Sequence, residues 1–163
     1  MLSKQKGFTL IELLVVIAII SLLATLAVTS LSNTRIKARD TSRVVDIKEI
    51  VKALELYYSD NNSYPSSLAG DGSWDGIYTC WGDSSTNWII GLAPTYMAEL
   101  PRDPRNHTTC GEQYIYRSDG INYKLLSHNP EDCARIVSAY PVLFDPVRDC
   151  WAVGYWTPGA KNW

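Results

Sequence analysis

Only Glu12 carries a charge in the apolar run from Phe8 to Val28. A carboxylate placed near the start of a membrane-length helix is costly to desolvate and calls for a partner of opposite charge or a set of hydrogen-bond donors. Four cysteines, Cys80, Cys110, Cys133 and Cys150, all follow this run, in the part that an anchored chain would hold outside the cell's reducing interior, where disulfides persist. Three connectivities are open to them. Loops of moderate length favour Cys80 with Cys110 and Cys133 with Cys150, the second pair stapling the C-terminal region. A zinc site would have to combine His107 and Cys110 with Cys80, Cys133 or His128, but no second compact Cys or His pair is present, so no metal is expected. Asp103, Asp119, Asp145 and Asp149 stand in turn-like segments and read as solvated or capping groups. His107 and His128 have no nearby nucleophile in sequence, and no glycine-rich phosphate loop or metalloprotease motif occurs, so neither a catalytic residue nor a cofactor is expected.

The elements that position these residues follow from periodicity. No glycine occurs between Phe8 and Ala69, and the first proline is Pro65, so nothing interrupts a helix from about Phe8 to Asp60. Its first part is long enough to cross a hydrocarbon core of about 30 Å. In its outer part Val44, Ile47, Val51, Leu54 and Tyr58 recur at helical spacing, while Arg43, Asp46, Lys48, Glu49, Lys52 and Glu55 take up the polar remainder. That stripe is too short for a coiled coil and reads as the spine of a small domain. Residues 66–110 are interrupted by Gly70, Gly72, Gly76 and Gly82, with room for a brief helix over Asn87 to Met97 that Pro94 shortens. Gln113 to Arg117 and Ile121 to Leu126 flank Ser118-Asp119-Gly120, a hairpin signal. Ile136 to Phe144 and Trp151 to Trp156 offer further edge strands. The expected fold class is α+β, a long N-terminal helix packed on an antiparallel sheet of three or four strands.

A secretory signal peptide would have a shorter apolar region and a small-residue exit, and no cysteine follows the run to serve as a lipoprotein anchor. Gly7-Phe8-Thr9-Leu10-Ile11-Glu12 instead resembles, position by position, the processing signature of the type IV pilin and type II secretion pseudopilin superfamily. The resemblance implies the pilin fold, with residues 1–7 as a leader, 8–30 as the transmembrane and filament-core half of the helix, 31–60 as its amphipathic half, and 61–163 as a disulfide-stabilised outer domain. It implies cleavage after Gly7 by a membrane prepilin peptidase, which also methylates Phe8, with Lys4 and Lys6 holding the leader in the cytoplasm. That single-pass orientation, N-terminus inside, also follows from the positive-inside rule. Glu12 is expected to act in assembly, accepting the amine of a neighbouring subunit's Phe8. The implied partners are further copies of the chain in a filament, an inner-membrane platform with a cytoplasmic ATPase, and membrane lipid before assembly. Loss of Lys4 and Lys6 moves the formal charge from -2 to -4, and nucleic acid is not expected as a direct ligand.

The stretch from Asp46 to Pro65 and the element Leu100-Pro101-Arg102-Asp103-Pro104 are similar to major pseudopilins, whereas the cysteines and the aromatic C-terminal region are more like a pilus subunit. The expectation is a pilus-like filament subunit, with a secretion pseudopilin as the alternative; a monomeric membrane-tethered binding module is a third reading, in which Glu12 has no role. The family also supports a C-terminal disulfide. Two departures stand out. Thr29 and Ser21 occupy places where many relatives carry proline and glycine, and Asp145 to Cys150 does not reproduce the calcium loop with which major pseudopilins close. Disulfides are expected in its place. Of the 10 tyrosines and 6 tryptophans, most are expected to pack the core.

Overall fold

The computed structural model describes residues 7–68, 73–78, 85–105 and 111–163. The chain divides into two compact units, Met1–Ile36 and Lys37–Trp163. Helix α1, Leu10–Asn61, supplies both the described helical part of the first unit and the spine of the second. Among the described residues it is the one helix long and apolar enough to cross a membrane, with a mean hydropathy of 2.8 over its most apolar part.

Within the first unit the helix presents apolar side chains on every side as far as Leu31, with Glu12 as its one charged residue up to that point. From Phe8 to Leu31 its described large apolar side chains are exposed, between 81% at Phe8 and 45% at Val16, and Ile36 at the end of the unit is half-buried. Hydroxyls along it bond back to the helix: Ser21 donates to the Ile17 carbonyl at 2.7 Å, Thr25 to Leu22 at 2.7 Å, and Thr34 to Ser30 at 2.9 Å. Such bonds satisfy the hydroxyl inside an apolar environment while leaving the helix continuous.

In the second unit α1 packs on a four-stranded antiparallel sheet in the order β1 (Asp75–Gly76), β2 (Tyr114–Ser118), β3 (Tyr123–His128) and β4 (Ala152–Trp156). The β2–β3 hairpin pairs Tyr114 with Ser127 and Ser118 with Tyr123. Its turn is set by Gly120 at φ 85° and by Asp119, whose Oδ1 accepts from the backbone N–H groups of Ile121 and Asn122 at 2.9 and 2.7 Å. Residues of β3 alternate between faces. Tyr123 and Leu125 join Val44, Ile47, Ile50 and Leu54 of α1 in the main core, and Leu126 packs with Ile115 and Ala152 in a second cluster. Close approach of β4 to β3 depends on Gly154, where a Cβ would lie 2.0 Å from the Leu125 carbonyl oxygen.

Three expectations are corrected. Tyr58 is exposed and Val51 half-buried, while Ile50 and Ala53 join Val44, Ile47 and Leu54 at helical spacing to complete the buried stripe. Asn87 to Met97 forms successive turns with no helix. Ile136 to Phe144 is no edge strand: Cys133–Ala139 is helix α2, its first turn capped by the Asp132 side chain accepting from Arg135 N at 3.1 Å, and Pro141–Leu143 follows as a short 3-10 turn. Only Phe144 makes a β-bridge, to Val153.

Candidate functional site

The N-terminal end of α1 is organised by Thr9 and Glu12. Thr9 N and Thr9 Oγ1 donate to Glu12 Oε2 at 2.8 and 2.6 Å, and Glu12 N donates to Thr9 Oγ1 at 3.3 Å. This is a capping box, in which N-cap and N3 side chains satisfy each other's orphan backbone donors. The carboxylate is set among Phe8, Ile11, Val15 and Val16. It has hydrogen-bond donors from its own chain, but its charge has no cation partner among the described residues. Gly7 and Phe8 are exposed; Lys4 and Lys6 lie outside the described residues.

The second unit contains no His, Cys, Asp or Glu cluster able to hold a metal among its described residues. Cys133 and Cys150 form a disulfide with Cα atoms 5.5 Å apart, joining the start of α2 to the turn before β4. Cys133 is therefore not a thiolate for zinc. Cys80, Cys110 and His107 lie outside the described residues, and His128 Nδ1 lies 2.7 Å from the Gly111 carbonyl oxygen. The Cys133–Cys150 bond closes a loop of 17 residues, which constrains the unfolded chain by about 3 kcal/mol on the entropy model. Replacing both cysteines by alanine is expected to lower the urea midpoint accordingly while leaving the helical circular dichroism unchanged; an unchanged midpoint would contradict this role.

Two buried ionic clusters were not legible in the sequence. Arg43 and Asp103, read as polar-face and turn residues, are both buried, and Arg43 donates to both Asp103 oxygens at 2.7 and 2.8 Å. Its remaining nitrogen reaches Asp40 at 2.7 Å and Glu131 at 3.1 Å. Asp40 in turn accepts from Asp132 N and Arg135, both at 3.0 Å, so α1, the Leu100–Pro104 element and the start of α2 meet at one guanidinium. Burial alone would lower the Arg43 pKa, but the surrounding carboxylates raise it above its ordinary value. Glu131 is held down to about 2 by its paired bonds from Arg39.

The second cluster centres on Lys124 of β3 and Asp145, both fully buried. Lys124 Nζ donates to Asp145 Oδ1 at 2.8 Å and to the Lys161 and Trp163 carbonyl oxygens, both at 3.0 Å. Asp145 is thus neither solvated nor a simple cap. The tryptophans gather here: Trp156 faces Lys124, Trp74 faces Arg148 and Trp163 faces Arg117 at 4.6 to 5.1 Å. Trp88 is in the main core, Trp151 is exposed, and Trp81 lies outside the described residues.

Comparison with known proteins agrees with this architecture. Residues 2–28 match the prokaryotic N-terminal methylation motif, and residues 30–134 match the family described as type II secretion system protein G. The chain is 36% identical over 136 residues to the type II secretion system core protein G of Escherichia coli K12, covering 79% of this chain and 84% of the relative. It is 30% identical over 162 residues to the protein of the same name from Klebsiella pneumoniae, covering 98% and 100%. It is also 50% identical over 68 residues to the type IV wide pilus major component PilA4 of Thermus thermophilus, covering 42% of this chain and 52% of that protein. No solved structure matches the chain. A methylation motif leading into an exposed apolar helix fits a membrane-anchored pilin, and with a long helix on a four-stranded antiparallel sheet behind it, the chain belongs to the type II secretion system protein G family and has the α+β pilin fold.

Proposed function

We propose that this chain is a structural subunit of a type IV pilus-like helical filament, assembled from a prepilin stored in the membrane. The observation that carries this reading is a helix exposing apolar side chains around its circumference from Phe8 to Leu31, with one carboxylate held at its N-terminal end. Lipid covers such a surface before assembly. Copies of the same helix replace the lipid in a filament core, where the backbone is already satisfied within each helix. The chain is a substrate of the prepilin peptidase and not itself an enzyme. Residues 1–7 are the leader, the N-terminus faces the cytoplasm, and residues 61–163 form the extracytoplasmic domain. An inner-membrane platform with its ATPase extracts the subunit.

A secretion pseudopilin is the second reading, favoured by the match of residues 30–134 to the protein G family. Deletion of the gene separates the two. Loss of sheared surface fibres with export intact supports the pilus role, and accumulation of exported proteins inside the cell supports the secretion role.

Processing is expected at Gly7, between the basic leader and the capping box. Intact-mass measurement of the chain from native membranes should give a species beginning at methylated Phe8. Mature protein retaining residues 1–7 would contradict both roles.

A further inference from the structure

The protein G family closes its outer domain with a calcium loop, and the residues here do not fit that ion. After β4 the chain continues Thr157-Pro158-Gly159-Ala160-Lys161-Asn162-Trp163, a stretch with no Asp or Glu side chain. The oxygens that converge near this segment are already taken. Asp145 Oδ1 accepts from Lys124 Nζ at 2.8 Å and Val147 N at 3.0 Å, and Oδ2 accepts from Arg148 at 3.1 Å. The Trp163 carbonyl oxygen accepts from Lys124 at 3.0 Å and Arg148 at 2.8 Å. A divalent ion brought to these oxygens would meet two positive side chains and have to displace their bonds, whereas calcium is ordinarily held by six to eight oxygen ligands.

We propose that the buried ammonium of Lys124 is the resident cation of this domain, doing for the C-terminal segment what calcium does in the family's loop, so that the fold is independent of divalent ions. Its three N–H donors match three acceptors, one on Asp145 and two on the main chain of residues 161 and 163. Each bond joins a different part of the chain to the central strand: the turn before β4 and two points on the segment after it. The Trp156 ring, 5.1 Å from Nζ, covers the remaining side. The charge is delivered by the sequence itself and cannot be removed by chelation or by dilution.

The test uses the full chain in detergent, with limited proteolysis followed by mass mapping of residues 157–163. For the wild type, the cleavage rate in excess chelator should equal that in saturating calcium. A rate that rises on chelation and is restored by calcium would overturn the proposal. For Lys124→Met, which keeps the stem but removes the donors, cleavage within 157–163 should be at least about tenfold faster, in calcium as in chelator, because Asp145 and two carbonyls lose a buried partner. Unchanged protection of that segment in Lys124→Met would equally overturn it. Should the variant fail to accumulate, the wild-type comparison decides alone.

Discussion

Replacing Glu12 by glutamine is expected to leave membrane insertion and cleavage intact while nearly abolishing incorporation into filaments. The amide keeps the size and can still accept from Thr9, so the capping box loses only the strength that ionisation gives a hydrogen bond. What disappears is the charge. The capping box satisfies the carboxylate with donors but does not neutralise it. In the proposed assembly, cleavage would make the Phe8 amine, still basic when methylated, a cation just before the same helix, and a neighbour staggered along the axis would bring it to Glu12. A pair buried in this way fixes register more than it adds net stability. Shearing fibres and quantifying them against total mature protein measures the effect. Normal fibre yield with Glu12→Gln would remove Glu12 from assembly and revive the membrane-tether reading.

The second large effect is expected at Arg43. Removing this guanidinium in Arg43→Met leaves Asp40, Asp103 and Glu131 buried or half-buried without their common partner, a loss of about 3 to 5 kcal/mol. Arg35→Met, at an exposed position on the same helix, should change stability by no more than about 0.5 kcal/mol. Denaturant unfolding of the two variants provides the comparison, and equal midpoints would contradict the network's role. The same cluster sets an acid limit. The Glu131 carboxyl is lowered from 4.5 to about 2 by Arg39 and Arg43, so its contribution is complete above 4.5 and lost as pH falls towards 2. Asp46 runs the other way: burial raises it, so its contribution is greatest at low pH and is lost as pH rises through its folded value.

The sequence made the local elements legible and concealed the distant ones. The long helix was readable because nothing between Phe8 and Asp60 breaks it, and the β2–β3 hairpin because Asp119-Gly120 supplies the turn. Strand β4 lies within the expected Trp151–Trp156. Arg43 looks solvated in the sequence because it stands among charged residues between apolar helical positions, and its partners Asp103 and Glu131 lie 60 and 88 residues away. Lys124 alternates with Tyr123 and Leu125 in the ordinary manner of a strand with one wet face, and only the return of Asp145 and the C-terminal segment covers that face. Helix α2 is concealed for a different reason. Its Ile136 and Val137 favour a strand, and the capping carboxylate of Asp132 carried the better signal. The Thr9-x-x-Glu12 box could also have been found in the sequence, since it is the usual signature preceding an apolar helical run.

In the proposed filament the apolar half of α1 becomes the interior of a polymer, and the structure of the sheared fibre tests that most directly. Electron cryomicroscopy should show a helical array of this chain in which residues 8–31 of many copies lie at the centre and the Phe8 amine of one subunit meets the Glu12 carboxylate of another. Fibres lacking this chain, or fibres in which residues 8–31 lie at the surface and Glu12 meets no neighbour, would contradict it.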